Sequence, residues 1–163
     1  MEPGLAKIAP HLRLPEKDID AILSRETRCR IATIGPAEAI NLTPMTFGWA
    51  GGKIFIFARG QKIANLRRNS TATILVDLGD NWYSLQGIML QGCAKVLEDT
   101  TAEQAEPDLV AARMNLGVKH NLSKDNQPAP YAASASGRSR RWIVFTPNNI
   151  VSWDNQRLER HSE

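Results

Sequence analysis

Arg59-Gly60-Gln61-Lys62 is the stretch whose residue types and spacing point most directly to chemistry. It follows Phe55-Ile56-Phe57-Ala58, an apolar run of strand composition. It precedes Ile63-Ala64-Asn65-Leu66, where Ile63 and Leu66 stand three apart, as on one helix face. The first turn of a helix carries unpaired backbone N–H groups and roughly half a positive charge, so cations placed there cost a few tenths to about 1 kcal/mol. Two cations against that dipole become favourable once a dianion sits between them, accepting from the amides, the Lys62 ammonium and the Arg59 guanidinium fork. The segment therefore reads as a phosphate site; the alternative is that both cations are solvated surface residues. Arg67 and Arg68, near the other end of the same helix, complement the dipole and are assigned no ligand.

The elements that must position this segment follow from periodicity. Pro15 suits a helix start, and Ile19, Ile22 and Leu23 fall at helical spacing among acidic and basic residues, which predicts a helix over 15–25. From residue 27 the period becomes two: Cys29, Ile31 and Thr33 alternate with Arg28, Arg30 and Ala32. A second extended run covers 39–50, and Gly51-Gly52 turns it as a hairpin into a third strand, 53–58. The helix at 61–69 then interrupts a β meander that continues with a strand over 71–77, turn residues Gly79-Asp80-Asn81, and one long strand over 82–97 containing Gly87 and Gly92. A helix over 101–116 follows. Residues 117–140, rich in Asn, Ser, Ala and Pro, read as a mobile loop near the active site. A closing hairpin, 141–145 and 149–153 around Pro147-Asn148, leads into a polar tail over 155–163. The whole chain, 1–163, is expected to form a single, mainly β domain: an antiparallel barrel with its core at 27–98, a closing hairpin within 141–154 and a few helices at its openings.

Composition limits the partners. The chain has 163 residues, of which 42% are hydrophobic, enough to bury one core; Lys and Arg number 20 against 17 Asp and Glu. A net charge of +3 suits a local anion site, and because the aromatic residues are not interleaved with a basic stripe, no nucleic-acid face is expected. Cys29 and Cys93 lie in strands without CxxC spacing, so they are read as buried free thiols in a reducing compartment rather than zinc ligands. No run reaches the roughly 18 apolar residues of a membrane helix and the first ten residues lack the pattern of a signal peptide. A cytoplasmic protein is the expectation.

The strand, the turn, Gly60-Gln61-Lys62, and then Asn65-Leu66 and Asn69 resemble the segment by which the pyridoxamine 5'-phosphate oxidase-like, FMN-binding split-barrel superfamily binds a flavin phosphate. Pro147-Asn148-Asn149-Ile150-Val151-Ser152-Trp153-Asp154, with Arg157-Leu158, is similar to that superfamily's closing strand. The resemblance covers roughly residues 22–158. It implies an antiparallel split β-barrel and a homodimer with two flavins at the subunit interface, each subunit giving the phosphate helix to one site and other elements to its partner's. It also implies cofactor contacts at Thr43, Met45, Thr46 and Phe47 along the ring system, and at Ala58, Arg59, Gln61 and Lys62 around the phosphate. Gln61 stands where pyridoxamine phosphate oxidases carry Arg, and 86–92 lacks their Arg-Gln start, which directs the expected substrate away from pyridoxamine phosphate. The Ser-Trp-Asp element looks more like the branch containing deazaflavin (F420) reductases.

The resemblance thus implies an FMN-dependent oxidoreductase acting on an unidentified small organic substrate. The alternatives are an F420-dependent reductase of the same fold and a non-catalytic flavin- or haem-binding module. Trp153 is assigned to cover an edge of the ring system, against the alternative of barrel core, and Arg157 to attract an anionic substrate or cofactor tail. Trp49, Trp82 and Trp142 read as core or interface, and His11, His120 and His161 as surface residues without metal spacing. Arg138-Ser139-Arg140-Arg141 reads as a solvated strand entrance, with a substrate phosphate as its alternative partner.

Overall fold

The computed structural model describes residues 8–121 and 140–158. Seven strands, β1 (Arg28–Ile34), β2 (Ile40–Thr46), β3 (Gly48–Ala50), β4 (Lys53–Ala58), β5 (Thr71–Leu78), β6 (Gln86–Leu97) and β7 (Arg141–Asp154), form one antiparallel sheet in the order β2-β1-β5-β6-β7-β4-β3. Its two edge strands are consecutive in the chain, with Phe47 alone between them. The sheet therefore curls until its edges are joined by covalent chain, and this is the split barrel. The run 39–50 is accordingly two strands: its first half pairs with β1 and its second with β4, at opposite edges. Gly51 and Gly52, at φ +57° and +69°, make the expected tight hairpin between β3 and β4.

Ile31, Ile54, Ile56, Ile74, Ile88, Leu90 and Phe145 fill the interior without exposure. Helix α1 (Glu16–Arg25) adds Ile22 and Leu23, and α2 (Gln61–Arg68) adds Ile63 and Leu66 to the same core. A smaller cluster lies on the other side of β4 and β7, where Phe55, Trp142 and Val144 meet Leu109, Ala112 and Leu116. Burial on both faces explains why Lys53–Ala58 reads as a nearly continuous apolar run rather than an alternating one.

Four boundaries differ from expectation. Residues 82–84 form a 3-10 turn, because the Asn81 side chain accepts from the Tyr83 and Ser84 amides, and β6 begins only at Gln86. The helix expected over 101–116 is two, α3 (Thr100–Ala105) and α4 (Leu109–Lys119): Glu106 is forced extended before Pro107, at φ −87° and ψ 106°. The closing hairpin is instead the single strand β7, fourteen residues long. Gln91 faces Asn149 while Gly92 faces Pro147, so Asn148 is the extra residue of a bulge, and a proline with no N–H to give is tolerated beside it. The first residues of the expected loop over 117–140 belong to α4, and 122–139 lie outside the described residues. Residues 155–157 close the chain's described part as a 3-10 turn. Among the described residues no helix is long and apolar enough to cross a membrane.

Candidate functional site

Strand β4 delivers the chain to α2 through Gly60, whose φ of +85° and ψ of −151° fall in a region that glycine alone occupies without strain. No side chain caps α2, so the amides of Gln61 and Lys62 face outward, while the Ile63 N–H turns back to the Gly60 carbonyl at 3.0 Å. The helix is pinned by Asn65, which is fully buried. Its carbonyl accepts from Gln61 Nε2 at 2.8 Å and its amide donates to Thr33 Oγ1 on β1 at 3.0 Å. Gln61 thus turns its side-chain amide along its own helix and offers an anion chiefly its backbone N–H.

Lys62 is half-buried, its Nζ 3.4 Å from the Arg59 carbonyl oxygen. Burial, and secondarily the charge of Arg140, hold its ammonium below the ordinary lysine pKa. Arg59 is exposed. The last pair of the β4–β7 ladder is Ala58 with Arg141, so the next residues outward on the two chains are Arg59 and Arg140. Among the described residues no carboxylate pairs with Arg59, Lys62 or Arg140. At the other end of α2, Arg67 holds Glu98 through two bonds of 2.7 and 2.6 Å, and Arg68 donates to the Ile34 carbonyl at 2.8 Å. Those two arginines are engaged within the fold.

Register puts Thr43 beside Ile31, Met45 beside Cys29 and Thr46 beside Arg28, all three half-buried. Thr43 Oγ1 is enclosed without a hydrogen-bond partner. Phe47 and Ala58 are core residues at 0% and 1% exposure, so within this subunit they back the site and present no surface to a ligand. The Phe47 ring carries Lys119 Nζ 3.5 Å from its centroid, and the same amine donates to the Phe47 carbonyl at 3.2 Å. Burial brings the Lys119 pKa down to about 8.

Trp153 and Arg157 lie elsewhere. Trp153 is twelve residues along β7 from Arg141, about 40 Å of extended strand. Its ring packs so closely over Gly87 that a Cβ there would stand 2.0 Å from it. Arg157 faces two carboxylates, Asp154 at 3.4 Å and Asp18 at 3.9 Å, which neutralise the charge expected to attract an anion. One subunit therefore gathers Arg59, Gln61 and Lys62, and leaves Trp153 and Arg157 at the far end of the strand. Of the other tryptophans, Trp142 is core, Trp49 donates to Asp20 at 2.7 Å, and Trp82 is exposed. Cys29 is buried as expected, with burial pushing its thiol up to about 12, but Cys93 is exposed because it points outward from β6. His120 is half-buried, with Nε2 enclosed and unpartnered, rather than a surface residue. His161 lies outside the described residues.

Asn65 and Lys119, which contact Gln61 and Phe47, were not among the candidate site residues, and Arg140, read as part of a strand entrance with a substrate phosphate as its alternative partner, lies near Lys62. Asn65 sits four residues after Gln61, a spacing that signals a helix-face contact, whereas Lys119 and Arg140 reach the site through pairings distant in sequence.

Solved structures share the fold. A conserved hypothetical protein of Mycobacterium tuberculosis is 22% identical with a TM-score of 0.76, over 94% of this chain and 93% of that one. A FAD-binding protein of Mesorhizobium loti is 15% identical with a TM-score of 0.61, over 85% and 93%. An F420 reductase is 21% identical with a TM-score of 0.58, over 80% and 94%. No curated protein matches the chain. The family model described as pyridoxamine 5'-phosphate oxidase matches residues 15–154, which takes in every strand and the Arg59–Lys62 turn, and the chain accordingly belongs to the pyridoxamine 5'-phosphate oxidase-like split-barrel family.

Proposed function

We propose that this protein is a flavin-dependent oxidoreductase acting on a small organic substrate, as a homodimer with its cofactor between subunits. One observation carries the cofactor assignment: Arg59 and Lys62 stand at the uncapped start of α2 with no carboxylate among the described residues to balance them. A phosphate there accepts from the Gln61 and Lys62 amides and from both cations. FMN is the smallest flavin cofactor that brings one. The bound flavin supplies the redox chemistry; the chain supplies position, polarity and exclusion of water. Thr43, Met45 and Thr46 line the adjoining strand, where Thr43 Oγ1 has a hydrogen bond still to make.

The dimer is supported by the separation of Trp153 from Lys62, since a ligand touching both takes them from different subunits. It is supported too by apolar side chains left in solvent at Ile40 (73%), Leu42 (61%) and Trp82 (65%). F420 is the second reading, favoured by the further cation Arg140 beside Lys62. The test is to denature the purified protein and identify the released cofactor by mass, then to reduce the holoprotein with a nicotinamide donor and reoxidise it with added acceptors. Yellow protein that cycles is expected. Colourless protein with no affinity for flavin or deazaflavin overturns the assignment, and bound flavin that cannot be reduced and reoxidised makes the protein a storage module instead.

A further inference from the structure

Helix α4 turns Leu109, Ala112 and Leu116 to the barrel, where they meet Phe55, Trp142 and Val144. At about 100° per residue, the direction opposite that buried face is the one Met114 takes, with Val110 and Val118 one turn to either side. These three side chains are left in solvent, Val110 and Met114 at 68% exposure and Val118 at 82%. The polar residues of the helix do not interrupt the stripe. Asn115 accepts from the Trp49 amide at 2.9 Å and donates to the Ser24 carbonyl at 3.0 Å, Lys119 donates to the Phe47 carbonyl at 3.2 Å, and Arg113 points about 100° away from Met114. A surface helix turns a polar face to water, and one that is apolar on both sides is buried on both. Helix α4 has the composition of a covered helix.

The order of its residues says what covers it. Val110-Met114-Val118 reads the same from either end, and Ala111 and Gly117 stand three residues to either side of Met114. A second copy laid antiparallel, with a two-fold axis at Met114, sets the two Met114 side chains together and each Val110 against a Val118. Each Ala111 then meets a Gly117, small residues that let the backbones approach, and the two helix dipoles run in opposite directions. The stripe covers roughly 300–400 Å², the size at which exposed apolar surface marks an interaction site. Pairing two stripes buries roughly 700 Å², short of the 1,200 Å² or so that a free-standing interface needs, so the contact adds to a larger one. We propose that α4 is a second homotypic contact, through which subunit pairs associate by antiparallel α4 helices into assemblies of four or more copies.

The experiment combines sedimentation equilibrium of the full chain, from micromolar to millimolar concentration, with disulfide trapping. Trapping uses a Cys93→Ser background, because Cys93 is the exposed thiol and Cys29 is buried. Wild-type protein is expected to pass from two copies to four or more as concentration rises. Met114→Glu, a change at an exposed side chain, is expected to stay at two copies with an unchanged melting temperature. Met114→Cys is expected to form a covalent pair under mild oxidation. Val110→Cys and Val118→Cys are each expected to fail alone and to pair when mixed: each stands about 6 Å along the helix from the axis, so like residues are about 12 Å apart, beyond disulfide reach. Wild type that never exceeds two copies overturns the proposal, as does Met114→Cys that does not pair, which gives the stripe another occupant. Equal trapping of all three single cysteines is random collision and overturns it too. A Met114→Glu chain that falls to single copies makes α4 the interface of the subunit pair itself, and no second contact is left.

Discussion

The two ends of α2 carry the same kind of residue and treat it in opposite ways. At the C-terminal end, Arg67 and Arg68 complement the helix dipole and find partners in Glu98 and the Ile34 carbonyl. At the N-terminal end, Lys62 and Arg59 oppose the dipole, have no carboxylate among the described residues, and are joined by Arg140 from the entrance of β7. Cations that lower the energy of the fold and cations held against it are separated by fewer than two turns of one short helix. The second kind is what a ligand site requires, because charge left unbalanced in the free protein is what an arriving anion balances.

The contrast breaks most sharply at Lys62. Lys62→Glu is expected to weaken flavin-phosphate binding by at least about a hundredfold, since it removes a charge-assisted bond and adds repulsion. The same change raises the stability of the ligand-free protein by a few tenths to about 1 kcal/mol, because a carboxylate suits a helix start. Titration and urea unfolding measure the two effects, and the assignment fails if both move the same way.

Asn65→Ala attacks the support rather than the charge. It leaves Thr33 Oγ1, which is buried, without its donor, so a loss of about 1–3 kcal/mol is expected on urea unfolding. Binding weakens with it as the α2 amides lose their anchor on β1.

A pH series sharpens the comparison further. Lys62 titrates below an ordinary lysine because of its burial and of Arg140. A lysine whose folded pKa is depressed makes the folded state bind fewer protons than the unfolded chain between the two pKa values, so ligand-free stability rises with pH across that window. Phosphate binding needs the ammonium and falls over the same window. In Lys62→Arg the binding slope is expected to vanish and the stability slope to lose the share of Lys62, leaving those of Lys119 and Cys29, which calorimetry and titration between neutral and alkaline pH would show. The smallest effect belongs to the other end of the helix: Arg67→Ala, at an exposed ion pair, is expected to leave flavin affinity unchanged and the melting temperature nearly so.

Much of the local structure was legible because its signals are local. The alternation at 28–34, the Gly51-Gly52 turn and the helical spacing of Ile63 and Leu66 each lie within a few residues, and all became the expected elements. Pro107 carried a local signal too: its place inside the 101–116 run marked the helix break, and the periodicity around it hid that mark. The Pro147-Asn148 pair misled in the opposite sense. Turn chemistry is one outcome for those residues, and a bulge opposite Gln91 and Gly92 is another that only a partner strand selects.

By itself the sequence determined that a strand hands over to a helix at Arg59-Gly60-Gln61-Lys62 and that the charges there are set against the dipole. The period of side chains and the polarity of a helix are properties of a few consecutive residues. Only the tertiary structure decided that β2 and β3 part at Phe47 to opposite edges of the sheet, that Ala58 pairs with Arg141 and so brings Arg140 near Lys62, and that Trp153 packs over Gly87. Those placements are set by register between segments that are distant in the chain. Hydrogen bonding and burial choose a register across the whole sheet at once, and no single segment contains that choice.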